Sequence, residues 1–116
     1  MQAEILWQFK TRNFTVQWLV SPCYDLDISW DETSETRENL ESGLWTAFDS
    51  EMRVLFRGVA IGADYLGQSI YADVSEFRDH IGMNARGHGS YFSDMVRGAI
   101  AEARKTLADM PEMRAA

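Results

Sequence analysis

From Glu4 to Ser21 the sequence EILWQFKTRNFTVQWLVS alternates apolar and polar residues with a period of two, and no other feature constrains the fold as tightly. Successive side chains of an extended strand point to opposite faces, so this alternation builds a half-buried strand and gives a helix no apolar stripe. Ile5, Trp7 and Phe9 are expected on one face, with Phe14, Val16, Trp18 and Val20 returning after a turn at Arg12-Asn13. Asparagine tolerates the positive φ of a hairpin turn, but no glycine is present to fix the turn type.

The pattern recurs in LWTAFDSEMRVLF, residues 44 to 56, with Phe48, Met52, Val54 and Phe56 on one face and Asp49, Glu51 and Arg53 on the other. Arg57-Gly58 is a turn, after which Val59, Ile61 and Ala63 continue as the second strand of a second hairpin. GADYLGQSIYA follows, and its two glycines suggest an irregular crossing. Asp73 and Glu76 have capping-box spacing ahead of a short helix, VSEFRDHIG, that Gly82 can end, and MNARGHG reads as loop.

Ser90 is the expected N-cap of a final helix, YFSDMVRGAIAEARKTLAD, in which Phe92, Met95, Val96, Ala99, Ala103 and Leu107 recur at helical spacing. Ala99 and Ala103, with Gly98 beside them, would let this helix approach a sheet closely. The expected fold class is therefore α+β: an antiparallel sheet of about four strands in two hairpins, the C-terminal amphipathic helix on one face, and two short helices. The 116 residues, 46% of them hydrophobic, suit one domain spanning residues 1–110, followed by a frayed tail at 111–116.

Between the hairpins lies DLDISWDETSETRENLESG, residues 25 to 43. Seven acidic side chains against the single Arg37 hold six of the chain's seven net negative charges. Asp25-Leu26-Asp27-Ile28 suits a short strand, and the stretch from Asp31 or Thr33 to Ser42 suits a helix of about three turns closed by Gly43. Only Leu40 is strongly apolar between Trp30 and Leu44, so this helix has no wide stripe to bury and its carboxylates are expected in water.

That charge excludes several function classes. Nucleic acid and anionic membranes require a basic footprint, which an acidic chain lacks, so a protein with a basic surface is the natural partner. No window reaches the ~18 apolar residues of a membrane helix, and the N-terminus lacks the basic segment and apolar run of a secretory signal, so a cytoplasmic location is expected. Cys23 is the sole cysteine and adjoins no basic residue, which reads as packing.

Catalytic and metal chemistry find no assembled site. His80 and His88 lack HxxxH, HExxH or Cys/His spacing. RGHGS, residues 86 to 90, is glycine-rich and opens a helix, so its amides could hold an anion, but it lacks the lysine of a phosphate-binding loop. Taking Asp25, Asp27 and Asp31 as a calcium loop puts Trp30 where the glycine belongs and Thr36 where the glutamate belongs. Neither an enzyme nor a metal or other cofactor is expected.

The segments DLDISWDETSETRENLESG, IGADYLGQSIYA and GSYFSDMVRGAIAEARKTL resemble a group of small uncharacterised proteins encoded on bacteriophages and mobile plasmids of proteobacteria. Ile61-Gly62 with Asp64-Tyr65-Leu66-Gly67, and Tyr91-Phe92 with Asp94-Met95-Val96, carry the resemblance most specifically. It implies the company of anti-defence factors, anti-CRISPR proteins among them, acting in the bacterial host cytoplasm, and transfers no site residue. The leading expectation is thus an inhibitor of a host defence complex. Asp27, Trp30, Asp31, Glu32, Glu35, Glu38, Glu41 and Trp45 would dock on a basic surface, such as that of a CRISPR-Cas component, imitating spaced phosphates. The alternative is an accessory or structural phage protein, a homodimer through an edge strand, whose acidic run is solvated surface.

Overall fold

The structure, a computed structural model, describes residues 3–23, 26–30, 32–79 and 91–110. Its elements run β1 (Glu4–Lys10), β2 (Phe14–Pro22), α1 (Glu35–Glu41), β3 (Thr46–Phe56), β4 (Val59–Tyr71), α2 (Ser75–Asp79) and α3 (Tyr91–Asp109). The four strands form one antiparallel meander in sequence order, and the α+β architecture is the one the alternation dictates. His80, His88, the RGHGS loop, Ser90 and the 111–116 tail lie outside the described residues.

The turn between β3 and β4 has positive φ at both Arg57 (50°) and Gly58 (83°), the pair of values a two-residue hairpin turn requires. The Arg57 backbone N–H donates to Asn13 O at 2.9 Å, so the two hairpin turns lie side by side at one end of the sheet.

On the covered face β3 contributes Phe48, Ser50, Met52, Val54 and Phe56, all buried, in strict alternation. Trp18 of β2 stacks on Phe77 of α2 with centroids 5.6 Å apart and meets the edge of Phe92 of α3 at 5.5 Å. This aromatic cluster joins three elements distant in sequence, and each fully buried large apolar side chain contributes roughly 1.5–3 kcal/mol. The Trp18 indole N–H donates to Ser50 Oγ at 3.1 Å, which satisfies the one polar atom the ring carries into the core. α3 buries Phe92, Met95, Ala99 and Ala103, as its periodicity predicts, and packs chiefly along β4 and less on β3.

Four local expectations are corrected. Ile5, Trp7 and Phe9 do not share one buried face: the register with β2 shifts between Ile5 and Trp7, so Ile5 pairs with Leu19 and Trp7 with Trp18, on opposite faces. Ile5 and Phe9 are exposed and only Trp7 is half-buried. The GADYLGQSIYA segment is no crossing, because β4 continues through it to Tyr71. Its irregularity is absorbed at Gly67-Gln68, where Gln68 takes φ 56° and its N–H turns to Asp49 Oδ1 at 2.9 Å.

Leu26 to Ile28 form no strand. The Asp27 N–H donates to the Gln68 side chain at 3.3 Å and the Asp27 carboxylate accepts from Ser29 N–H at 3.0 Å, a local turn that competes with a ladder. Finally, α1 has two turns rather than three, since Ser34 sits at φ 61°, a left-handed value that a right-handed helix cannot include.

Candidate functional site

The acidic segment is built around a helix with almost nothing to bury. Of α1 only Thr36 is buried, while Asn39 and Leu40 are half-buried and Glu35, Arg37, Glu38 and Glu41 face outward. The helix ends as its sequence predicts: Ser42 N–H donates to Glu38 O at 3.0 Å, Gly43 N–H to Leu40 O at 3.3 Å, and Gly43 takes φ 84°. Trp45 N–H then donates to Asn39 O at 3.0 Å, which ties the helix exit to the start of β3.

Asp27 organises the other flank. It is exposed, and the Ser29 backbone N–H, followed by the Ser29 side chain, holds its carboxyl below the ordinary aspartate range. The Trp30 indole N–H donates to Asp27 O at 3.1 Å, fixing the ring by its polar edge while 61% of the residue stays exposed.

The two tryptophans converge. Trp30 and Trp45 line one cleft of about 370 Å³ whose remaining walls are Thr36, Ile70, Tyr71 and Ala72. Of the residues expected to bind a partner, Asp27, Glu32, Glu35, Glu38 and Glu41 are all exposed and none of them lines the cleft, and Asp31 lies outside the described residues. Trp45 is half-buried, so both tryptophans line the cleft but only Trp30 stands largely in solvent. Sequence reasoning missed Tyr71 and Ile70, because residues read as an irregular crossing have no register to place them opposite Thr46 and Ala47. It also missed Leu44, 64% exposed beside the helix exit. Burial, then the nearby Tyr91 and Glu76, pushes the Tyr71 hydroxyl pKa up, so that hydroxyl stays protonated at neutral pH.

Among the described residues no three His, Cys, Asp or Glu side chains gather as a metal ligand set, and no helix is long and apolar enough to cross a membrane. A small α+β fold with a tryptophan-bearing cleft at one end of its sheet, to which the acidic helix α1 contributes Thr36, is the class that fold and site define. Comparison with protein-family models, with curated proteins and with solved structures finds no match.

Proposed function

We propose that the chain is a non-catalytic binding protein whose surface from Asp27 to Trp45 docks on a basic protein surface, inhibiting host nucleic-acid-handling defence machinery such as a CRISPR-Cas component. One observation carries the binding half of this reading: four exposed glutamates, 32, 35, 38 and 41, lie on the segment between Trp30 and Trp45, which line one cleft together and of which Trp30 is 61% exposed. Carboxylates on a surface steer a basic partner and set register, while a central aromatic anchor supplies most of the affinity of an interface. The defence-machinery half rests on the resemblance to phage and mobile-element proteins.

The experiment is a pull-down from a proteobacterial host lysate at low and moderate salt, with wild type beside a Glu32→Lys, Glu35→Lys, Glu38→Lys variant and a Trp30→Ala variant of unchanged circular dichroism. A nucleic-acid-binding defence complex held by the wild type, released by salt and lost in both variants supports the reading. Identical capture by all three proteins sinks it.

A further inference from the structure

The covered face of the sheet is only partly covered. α3 packs chiefly on β4 and less on β3, and among the described residues no other helix lies over the hairpin-turn half of β1 and β2. The result is a second groove, at the opposite end of the sheet from the tryptophan cleft, with a volume of about 360 Å³. Trp7, Phe14 and Val16 lie along its sheet side, and Val96, Ile100 and Leu107 come from α3. Phe9 is a lining residue that remains 56% exposed. A volume of this size, apolar walls and few polar groups are what small-molecule sites have in common, their usual range being roughly 300–1,000 Å³.

Its one charged lining residue is Arg104, whose side chain forms no hydrogen bond or ion pair among the described residues. The other polar lining residue, Thr11, is already engaged: its hydroxyl accepts from Phe14 N–H at 3.2 Å. The surroundings share the sign of Arg104. Lys10 and Arg12 come from the β1–β2 hairpin, Lys105 follows in α3, and Arg57, beside the hairpin turn, stacks over Phe56 at 5.2 Å. Among the described residues Asp109 is the opposing charge at this end, and Glu102 lines a different hollow, beside Tyr65 on β4. In a chain of net charge −7, the described residues named at this end are thus five basic side chains, Lys10, Arg12, Arg57, Arg104 and Lys105, against Asp109.

We propose that this groove binds an amphipathic anion, an alkyl carboxylate whose chain lies against Trp7, Val16, Val96 and Ile100 and whose carboxylate pairs with Arg104. The local charge decides between occupants. A second copy brought up by a two-fold axis would set two basic ends against each other, whereas a carboxylate neutralises the group that the apolar walls leave unpaired.

The test is titration of the full chain with hexanoate, octanoate and decanoate, and with decanol and decyltrimethylammonium, each below its micelle concentration. The Val96 and Ile100 methyl resonances report binding, with Leu19 on the opposite sheet face as control. Decanoate is expected to bind at least tenfold more tightly than decyltrimethylammonium, and each added methylene to tighten carboxylate binding about fourfold, the equivalent of ~0.8 kcal/mol. Arg104→Glu, an exposed position outside the packed stripe, should reverse the preference between anion and cation with circular dichroism unchanged. Equal affinity for all head groups, no dependence on chain length, or shifts as large at Leu19 as at Ile100 would overturn the proposal. So would groove shifts that grow with protein concentration alone and accompany a doubled sedimenting mass, which would give the groove to a second copy.

Discussion

Gly62 of β4 lies directly beneath Ala103 of α3: a Cβ built on the glycine would stand 2.6 Å from the Ala103 backbone nitrogen and 2.6 Å from Ala99 O. The helix backbone occupies the space a side chain would need. Ala99 and Ala103 are buried because only small residues permit this approach, and the pairing of Gly62 with Val54 fixes where along β4 the helix docks.

Gly62→Ala is therefore expected to destabilise the fold by about 1–3 kcal/mol, the usual cost of overpacking, because the clash is with backbone that cannot rotate away. Gly98→Ala is the contrast. Its Cβ would meet Asp64 Oδ2 at 2.6 Å, but that atom is the end of a side chain that can turn aside, and alanine gains up to ~1 kcal/mol of helix propensity. Urea unfolding of the two variants should show a lowered midpoint for the first and little change or a gain for the second. Equal midpoints would mean that α3 is not pinned at Gly62.

Ser50→Ala leaves the Trp18 indole N–H without its acceptor, at a position where both residues are buried. An unsatisfied buried donor costs about 1–3 kcal/mol, more than the net worth of the bond itself. Trp18→Phe loses the same bond together with part of the ring that stacks on Phe77. In a double-mutant cycle the Ser50→Ala penalty should shrink in the Trp18→Phe background, since no orphaned donor remains there. Additive penalties in denaturant unfolding would refute the bond's role.

The sheet could be read from the sequence because its signal is local: β3 alternates without interruption, and Arg57-Gly58 carries its turn type in two residues. The α3 stripe was legible for the same reason, and so was the Gly43 stop of α1. What was not legible is what depends on partners distant in sequence. The shift beside Leu6 that turns Ile5 away from Trp7 is set by pairing with β2, and alternation alone cannot reveal an inserted residue. Glycines in the 62–72 region looked like breaks, yet Gly62 is where a helix passes and Gly67 is where a register shift is absorbed. The acidic surface was legible from composition, but its cleft was not, because Trp30 and Trp45 are joined by Tyr71 from a segment with no assigned strand.

Asp27 and Asp73 should both respond to acid. Each carboxylate accepts a backbone N–H two residues on, from Ser29 at 3.0 Å and from Ser75 at 2.9 Å, and in each the backbone bond, then the serine side chain, lowers the pKa. A carboxyl whose folded pKa is depressed stabilises the fold above its unfolded pKa of roughly 4 and loses that contribution as pH falls through the folded value. The Ser29 and Ser75 amide resonances should hold steady from neutral pH to about 4 and move below it. Asp73→Asn, which keeps an acceptor but not the charge, should abolish the movement at Ser75 alone. An amide shift centred near pH 6 would show that another group is responsible.

Gly43→Ala tests whether α1 matters as a helix. The position has φ 84° and no atom within 4 Å of a built Cβ, so the penalty is purely the left-handed backbone, about 1–2 kcal/mol for a residue with a side chain. Seven residues burying one threonine cannot absorb that cost, since helices this short are marginal without tertiary support. The expected outcome is local opening: faster hydrogen exchange at Ser42 and Trp45, whose N–H groups bond to Glu38 O and Asn39 O, with the global unfolding midpoint nearly unchanged. The same variant in the pull-down separates two modes of docking. If capture falls although every glutamate is present, the helix and its cleft present the carboxylates in a required geometry. If α1 opens and capture is undiminished, the acidic run acts by charge alone and the cleft is not part of the interface.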